Sequence, residues 1–453
     1  MLDFEKLGHI HFIGAGGVSM SSLVQFCLFS GKIVTGYDDN YGEKIPLLEE
    51  KGCRVRIQSP PEQNFSPDIA VYSGAVKPDH PELTFLRSKN IPCLERQIFL
   101  SEISSLFRYT IAVGGTHGKT TVTSMLAEIF LASGLPFYGH IGGDTVKNGN
   151  FVCTGKTYFL TEACEYRKSL LSLRPDIGIV LNADSDHPDT YRTLSDVYDA
   201  FDAFLDASRI KGVSVTNGDT FYFAARQSHN RNLTFGLSEG NDFRAENVRE
   251  YKKGFFGFSV VHLGIPETQI ELSVPGEHNV LNALCAYAVA RTVGLSPTVV
   301  GASLEQFSGV RRRFEKISKF FGAEVYTDYA HHPAEIKAAI ATALRIKSDK
   351  GKLYVLFQPH TYSRTARLFD SFCTCFEGTD ELLLLKEYPA RETPDKGKSA
   401  KDLYAKVKSP SKKYFANIVD AAACLMQKAA PGDLILVLGA GDVVNVCSLL
   451  KND

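Results

Sequence analysis

The chain has 453 residues, of which 44% are hydrophobic and 22% charged, with 37 glycines and 19 prolines. This composition excludes a disordered or fibrous chain, and the length predicts roughly three globular domains. Lysine and arginine together number 50 against 51 acidic residues, a formal net charge of −1. We therefore expect no nucleic-acid partner, because such binding needs clustered cations.

The first hundred residues alternate short apolar runs with helical patterns, which predicts parallel α/β units. We predict strands at His9–Ile13 and Lys32–Tyr37, with a helix at Val18–Phe29 between them. The fold class expected for the whole chain is therefore α/β.

A glycine-rich turn, residues 14–17, follows the first predicted strand. It resembles a dinucleotide-binding fingerprint in which Ser19 replaces the third glycine and Asp38 lies about twenty residues further on. Three interpretations stay open: the turn binds NAD, it binds the diphosphate of another nucleotide, or it is a tight turn that binds nothing.

A second α/β unit begins at the predicted strand Thr110–Val113 and continues in the predicted helix Thr120–Ala132. The sequence G-G-T-H-G-K-T-T spans the junction, as a phosphate-binding loop does, although it is one residue shorter than the Walker pattern. Backbone N–H groups surround the phosphates in such a loop, Lys119 neutralises their charge and the Thr120 hydroxyl holds Mg²⁺. We predict nucleoside triphosphate binding, the alternative being a glycine-rich turn with an incidental lysine. The predicted nucleotide-binding residues here are Gly115, Thr116, His117, Gly118, Lys119, Thr120 and Thr121.

Two further candidate metal ligands follow the predicted strands Tyr158–Leu160 and Ile177–Leu181. They are Glu162, in T-E-A-C-E, and His187, in N-A-D-S-D-H-P-D. Ligands of doubly wound sheets collect at the carboxyl ends of strands, so both side chains would face a nucleotide on the predicted phosphate loop. A plain acidic loop is the alternative for His187.

The rest of the chain continues the α/β pattern. We predict a hairpin from Phe255–Leu263 and Gln269–Val274, a helix within residues 276–294, and a solvated helix and loop in the lysine-rich stretch 396–413. The strands predicted for a third α/β region lie near Val325–Thr327, Leu353–Phe357, Leu382–Leu385 and Leu434–Leu438.

Polar segments follow two strands of this third region. In D-Y-A-H-H-P, Pro333 suits the first helical position and Glu335 is placed to complete a cap, so His332 is either a neighbour of the cap or a functional residue. Arg364, in Q-P-H-T-Y-S-R, and the nearby Arg367 are suited to binding a carboxylate or phosphate. Ordinary surface arginines are the alternative.

Seven motifs, in order over nearly the whole chain, resemble those of the Mur ligases. They are I-H-F-I-G-A-G-G-V-S-M, G-T-H-G-K-T-T, N-A-D-S-D-H-P-D-T-Y, G-E-H-N-V-L-N-A, R-R-F-E, D-Y-A-H-H-P-A-E and Q-P-H-T-Y-S-R-T. The resemblance implies a three-domain enzyme, with a Rossmann-like domain for a UDP-sugar at residues 1–108 and a central P-loop ATPase domain at residues 109–312. The last domain, residues 313–453, would be Rossmann-like and close over the amino acid.

The resemblance also implies a reaction, the ATP- and Mg²⁺-dependent joining of L-alanine to UDP-N-acetylmuramate in peptidoglycan precursor synthesis. An acyl phosphate of the muramoyl carboxylate would be attacked by the amine, and phosphate expelled. Some Mur ligases bind a second metal through a carbamylated lysine, but the stretch after His187 offers Arg192 and no lysine before Lys211. This difference favours the alanine-adding branch.

The family's residue roles are carried over by motif position. They place Thr120, Glu162 and His187 at Mg²⁺, and Asn279 and Asn282 near adenine. Arg313 and Asp328 join the nucleotide site. The implied catalytic residues are Lys119, His187, His331 and Arg364, and the implied substrate-binding residues are Gly14, Ala15, Gly16, Gly17, Asp38, Ser73 and His331.

The chain departs from the family pattern in two motifs. Where the family has E-A-D-E-S-D, this chain has E-A-C-E-Y-R at residues 162–167, so either Glu162 or Glu165 binds the metal. The family's Q-P-H-R-Y-T-R-T-R has lost two arginines, to Thr361 and Ala366. Since those arginines lie where the family handles anionic groups of the substrate, the acceptor or the affinity is expected to differ.

Three rival functions stay open. The first is the sister ligase that adds a recycled tripeptide to the same UDP-muramic acid, and the second is a non-catalytic, nucleotide-binding paralogue. The third is a nicotinamide oxidoreductase, which leaves the phosphate loop unexplained.

Compartment and partners follow from the cysteines and the hydropathy. The ten cysteines are scattered and lack the paired spacing of a zinc module, so we expect reduced, mostly buried thiols in a cytoplasmic protein. The first nine residues do not resemble a signal peptide, and no apolar run approaches the roughly 20 residues that cross a bilayer. We expect a monomer or homodimer without membrane insertion.

Overall fold

The computed structural model describes residues 2–185, 190–208, 212–224, 231–390, 392 and 398–451. The chain divides into two compact units. The first comprises Met1–Asn182, Tyr198–Thr234 and Thr292–Leu295, and the second comprises Ala183–Val197, Phe235–Arg291 and Ser296–Asp453. Both contain largely parallel sheet with helices on it, which confirms the α/β class.

The first sheet lies in the first unit and is parallel throughout. Its strands are β1 (His9–Ile13), β2 (Ile33–Asp38), β3 (Arg54–Ile57), β4 (Ile69–Tyr72) and β5 (Cys93–Glu95), and its helices are α1 (Val18–Phe29), α2 (Ile45–Glu50), α3 (Pro81–Ser88) and α4 (Arg96–Ser104). Across the sheet the strands lie in the order β3-β2-β1-β4-β5. The chain therefore adds strands on one side of β1 up to β3 and on its other side from β4 onward, so the order of addition reverses at β1. Ligands of such sheets bind at the carboxyl ends of the strands beside this reversal, which is where the glycine-rich turn lies.

The central sheet follows in the same unit. Its strands there are β6 (Tyr109–Gly114), β7 (Phe137–Thr145), β8 (Gly149–Cys153), β9 (Tyr158–Glu162), β10 (Ile177–Val180) and β11 (Val213–Asn217), and its helices are α5 (Lys119–Ala132), α6 (Leu194–Asp206) and α7 (Phe221–Ala224). The order is β11-β10-β6-β9-β7-β8, parallel except for β8. Phe26 of α1 stacks on Tyr138 of β7 with ring centroids 4.6 Å apart, so the two sheets share an apolar core.

The next segment contributes an antiparallel ribbon and two helices. Its elements are β12 (Arg231–Gly236), β13 (Phe243–Lys252), β14 (Phe255–His262), β15 (Ile265–Glu271), α8 (His278–Thr292) and α9 (Pro297–Glu305). Strands β13, β14 and β15 are consecutive antiparallel neighbours in the second unit. The predicted hairpin is therefore confirmed as β14 and β15, and the predicted helix as α8.

The third sheet occupies the end of the chain in the second unit. Its strands are β16 (Glu315–Phe320), β17 (Ala323–Asp328), β18 (Leu353–Phe357), β19 (Glu381–Leu385), β20 (Lys412–Phe415) and β21 (Leu434–Leu438), and its helices are α10 (Pro333–Ile346), α11 (Tyr362–Arg367), α12 (Phe369–Phe372), α13 (Ala400–Lys406) and α14 (Ile418–Met426). The order among described residues is β16-β17-β21-β18-β19-β20, parallel except for β16. Strands β18, β19 and β21 are buried along their whole length, as expected between two helical layers.

The lysine-rich stretch 396–413 needs a correction, because it is not entirely a helix and loop. It contains α13, but its last two residues, Lys412 and Lys413, pair with Leu382 and Leu383 as the start of β20. This strand is the last of the described sheet, and lysines are common on such exposed edges.

The cysteines agree only partly with expectation. All ten cysteines are free thiols, five of them buried and five partly exposed, so the expectation that most are buried holds for half. Within the described ranges, no helix combines the length and apolar character needed to cross a membrane.

Candidate active site

The phosphate loop, residues 114–118, connects β6 to α5. Gly115 and Gly118 have φ angles of 127° and 85°, in the region that favours glycine. A Cβ on Gly115 would lie 3.0 Å from the Leu181 backbone nitrogen, so only glycine fits there. Gly118 also precedes α5 without a side chain that competes for the first N–H groups of the helix, which suits an anion at this end.

Lys119 is the first residue of α5, and its ammonium points back into the loop. Its Nζ donates to the carbonyl oxygens of Gly115 at 2.5 Å and Thr116 at 2.9 Å, and forms a 2.9 Å ion pair with Glu165. Burial opposes the charge, but the Glu165 carboxylate outweighs it and raises the pKa of Lys119. The ammonium is therefore protonated at neutral pH, and it is paired with the Glu165 carboxylate.

A residue without a predicted role, Asn182, holds the other side of the loop. Its side chain accepts a hydrogen bond from the His117 N–H at 2.8 Å and donates to the His117 carbonyl at 3.1 Å. Its own carbonyl accepts the Thr116 N–H at 3.1 Å. Asn182 follows β10, and its position at the start of the N-A-D-S-D-H run is the sequence signal that marks it.

Three strand ends meet beside the loop. Val113 of β6 pairs with Glu162 of β9, and Gly114 pairs with Val180 of β10, so the carboxyl ends of these strands lie at one edge. Glu162 is partly exposed there, and its Oε1 accepts the Gly142 N–H at 2.7 Å. The Glu162 carboxylate and the Thr120 hydroxyl are hard oxygen donors of the kind that Mg²⁺ accepts. His187, the other predicted metal ligand, lies outside the described residues.

The N-terminal turn, residues 14–17, is built from backbone hydrogen bonds. Gly14, with φ of 80°, donates its N–H to the Tyr37 carbonyl at 2.8 Å. The Asp38 carboxylate accepts the Gly16 N–H at 2.8 Å, and a Cβ on Gly14 would lie 3.3 Å from that of Ser73. The structure thus brings together Gly14, Gly16, Asp38 and Ser73, with Asp38 holding the turn closed.

Two predicted adenine residues lie on α8 in the second unit. Asn282 donates to the Asn279 side-chain oxygen at 2.9 Å, and Asn279 donates to the Pro275 carbonyl at 2.7 Å. Both side chains are buried. Their amides are therefore held in one orientation, as specific recognition of a flat polar ring requires.

Arg313, Asp328 and His331 form a second cluster in the same unit. The Asp328 carboxylate accepts the N–H groups of Phe314 and Ala330, each at 2.7 Å. Burial raises its pKa to about 6, against the opposing charge of Arg313. The His331 Nδ1 lies 3.0 Å from the Tyr329 carbonyl oxygen.

The candidates near α10 and α11 differ in their surroundings. His332 is the N-cap of α10 and forms a capping box with Glu335, which confirms the predicted cap. Arg364 is 8% exposed, and its Nη1 lies 3.4 Å from the His360 Nδ1. Arg367 donates to the carbonyls of residues 191 and 192, each at 3.3 Å, so its contacts are structural.

Models of one protein family match this chain in three consecutive segments. The Mur ligase family catalytic domain matches residues 9–108, the Mur ligase middle domain matches residues 113–290, and the Mur ligase glutamate ligase domain matches residues 312–441. The matches agree with the predicted three-domain α/β fold.

Curated relatives and solved structures give the same result. A UDP-N-acetylmuramate–L-alanine ligase from Clostridium acetobutylicum is 40% identical over 446 residues, 96% of each chain. A ligase of the same name from Clostridium botulinum is 36% identical over 99% of this chain and 98% of its own. The crystal structure of a UDP-N-acetylmuramate–alanine ligase from Thermotoga maritima superposes with a TM-score of 0.80, at 26% identity and 97% coverage of both chains.

Proposed function

Because this chain belongs to the Mur ligase family, we propose that it is the ATP-dependent ligase that joins L-alanine to UDP-N-acetylmuramate in peptidoglycan precursor synthesis. The observation that carries the proposal is 40% identity, over 96% of both chains, with a curated enzyme of that name. The phosphate loop and the Lys119 ammonium supply the ATP site that this reaction needs.

The reaction needs no covalent bond between a substrate and the protein. The muramoyl carboxylate attacks the γ-phosphorus of ATP, the bond to ADP breaks, and an acyl phosphate forms. The amine of L-alanine then attacks the acyl carbon and loses a proton, phosphate leaves with the former carboxylate oxygen, and an amide remains. Every participant except the amine is anionic, so the site must mainly neutralise charge and exclude competing water.

The residues of the first unit divide this task. Lys119 neutralises terminal phosphate oxygens from within the loop, while Asn182 holds the loop backbone in shape. Thr120 and Glu162 are the hard oxygen donors that we assign to Mg²⁺. His187, which lies outside the described residues, stays a metal ligand predicted from the sequence alone. When bound, the metal supplies further charge neutralisation at the phosphates.

In the second unit, we assign Asn279 and Asn282 to adenine, and Arg313 and Asp328 to the nucleotide. His331 and Arg364 are assigned to the substrate and the developing intermediate. The rigid hydrogen bonding of Asn279 and Asp328 supports these roles, because a preorganised polar group costs little to reorganise during the reaction.

We also propose domain boundaries near residues 108 and 312, which the three matched family segments support. Ten free thiols support a reducing compartment, the cytoplasm, as the site of action.

Phosphate release tests the activity directly. Purified protein would receive ATP, Mg²⁺ and UDP-N-acetylmuramate together with L-alanine, L-serine, glycine or the recycled tripeptide. We expect release that depends on both UDP-N-acetylmuramate and L-alanine. Release with the tripeptide alone would assign the recycling reaction instead, and no release with any acceptor would indicate a non-catalytic paralogue.

A further inference from the structure

The segment that begins at the end of β9 is less negatively charged than the family pattern. Residues 162–167 are E-A-C-E-Y-R in place of E-A-D-E-S-D. Tyr166 and Arg167 therefore replace a serine and an aspartate. A change from aspartate to arginine alters the local charge by two units, which is a large change next to a site for anionic substrates.

The backbone of this segment is strained and firmly held. Arg167 has φ 51° and ψ 29°, and Lys168 has φ 56° and ψ 26°, a left-handed conformation that side chains rarely adopt. The Ser172 hydroxyl donates to the Gln97 carbonyl at 3.3 Å, and the Ser101 hydroxyl donates to the Ser172 carbonyl at 2.6 Å. These bonds fasten the segment to α4, next to the first sheet. Strain of this kind persists where surrounding structure enforces it, often at functional sites.

The Arg167 side chain reaches toward the N-terminal turn. Its guanidinium lies over the Tyr166 ring, 5.4 Å from the centroid, and its Nη1 donates to the Gly74 carbonyl at 3.3 Å. Gly74 directly follows Ser73, whose N–H donates to the Ile13 carbonyl at 3.1 Å, just before the turn. An exposed cation, stacked on the neighbouring tyrosine, is thus held beside the turn.

The turn itself offers little positive charge. The Gly16 N–H donates to the Asp38 carboxylate, which adds a negative charge to the turn. A second arginine, Arg96, donates to the Ser19 hydroxyl at 3.0 Å in the first turn of α1. Arg96 and Arg167 therefore approach the turn from two different segments.

We propose that Arg167 binds the diphosphate of the UDP-sugar substrate, from the central domain, at the N-terminal turn. The inference rests on the proposed function, since it names a further residue of that substrate site. Bidentate, charge-assisted hydrogen bonds to phosphate are the interaction for which an arginine is best suited. Because Arg167 is exposed, solvent screens its contribution, and its effect is smaller than that of a buried cation.

Equilibrium binding tests the assignment. Titration calorimetry, with saturating ADP and Mg²⁺ to fill the phosphate loop, would measure binding of UDP-N-acetylmuramate and UDP-N-acetylglucosamine. The second ligand has the diphosphate but lacks the lactyl carboxylate. For Arg167→Ala we expect Kd to rise about three- to tenfold for both ligands, and for Arg167→Asp to rise further. We expect Arg167→Lys to retain part of the affinity. Raising the salt concentration should reduce the difference in Kd between the wild type and the Arg167 variants.

Lys168→Ala is the matched control, because it removes a cation from the adjacent left-handed residue. We expect its Kd values to equal those of the wild type. A loss confined to UDP-N-acetylmuramate would assign Arg167 to the lactyl carboxylate and overturn the diphosphate assignment. Unchanged binding in both Arg167→Ala and Arg167→Asp would overturn it as well. Failure of the wild-type protein to bind either UDP-sugar would instead overturn the proposed function.

Discussion

The N-terminal turn and the phosphate loop share one local design and differ in charge. Each follows a buried parallel strand, contains a glycine of positive φ and opens a helix, α1 or α5. In the phosphate loop, the first helical residue is Lys119, held by Glu165. In the N-terminal turn that position is Val18, and the nearest held charge is the Asp38 carboxylate.

This difference shows how the two turns suit different ligands. The backbone of a strand–turn–helix unit supplies N–H groups and a helix end in both cases, which is enough to attract an anion. A triphosphate that must react needs more charge, and the phosphate loop provides it within its own sequence. The N-terminal turn instead has arginines nearby that come from other segments, Arg96 and Arg167.

Replacing Lys119 tests the difference between the two turns most strongly. It removes the positive charge that distinguishes the phosphate loop from the N-terminal turn. For Lys119→Ala we expect kcat/KM for ATP to fall by about 10²–10³, the usual cost of losing one preorganised electrostatic group. The fall in kcat/KM is measured from the rate of phosphate release. Near-normal turnover would contradict the assignment of the loop to ATP.

The same substitution removes the ammonium that pairs with the buried Glu165 carboxylate, so a control for stability is needed. We expect Lys119→Ala to lower the thermal midpoint and Lys119→Ala with Glu165→Gln to restore much of it. Activity should stay low in both variants. Recovery of activity in the double variant would mean that the loss came from misfolding rather than from missing charge.

Glu162 at the end of β9 and Glu165 just after it offer a second test. Glu165 is committed to Lys119, whereas Glu162 is held by one backbone N–H at the strand ends. We expect Glu162→Gln to raise the Mg²⁺ concentration for half-maximal phosphate release by about 10²-fold. Glu165→Gln, the matched control, should raise KM for ATP and leave the Mg²⁺ requirement nearly unchanged. The opposite pattern would assign the metal to Glu165.

The sequence predicted the elements with long apolar runs well. Strands β1, β18 and β21 and helix α1 have the predicted bounds, because each is a largely continuous buried run with a clear beginning and end. Strands such as β3, R-V-R-I, and β16, E-K-I-S-K-F, escaped prediction. Their pairing partners lie far away in the sequence or, for β16, across a tight turn, and their side chains are partly exposed.

The site was predictable in its motifs but not in its contacts. The phosphate loop, and the position of Glu162 at the end of a strand beside it, follow from the strand–loop–helix pattern. The ion pair between Lys119 and Glu165 joins residues 46 positions apart. The hydrogen bonds between Asn182 and His117 join residues 65 positions apart. No local pattern encodes such a distance, because tertiary packing creates the contact. The roles given to the site residues, including His187, remain predictions.

The smallest expected effect is the pH dependence of stability that comes from the side chains holding each turn in place. The phosphate loop is anchored by a charged lysine whose raised pKa keeps it protonated, whereas α1 after the N-terminal turn is anchored by a neutral imidazole. His140 is 3% exposed, and its Nε2 lies 2.8 Å from the Ser19 hydroxyl. Burial lowers the pKa of His140 to about 3, and the nearby Arg96 adds to the effect.

The sign of the pH dependence follows from proton binding. In the unfolded chain the histidine binds a proton below about pH 6.5, whereas in the folded protein His140 stays neutral down to about pH 3. The stabilisation that His140 contributes is therefore complete above about pH 6.5. It is lost as the pH falls from there toward about 3. We expect about 2 kcal/mol less unfolding free energy at pH 5 than at pH 7 from this group. Urea unfolding of wild type and His140→Gln at both pH values isolates it, because other histidines contribute equally to the two proteins. An identical pH dependence in the two proteins would show that His140 takes up its proton over the same pH range in the folded protein as in the unfolded chain. The imidazole would then be charged at pH 5 in the folded state, and the expectation of a neutral anchor would be wrong.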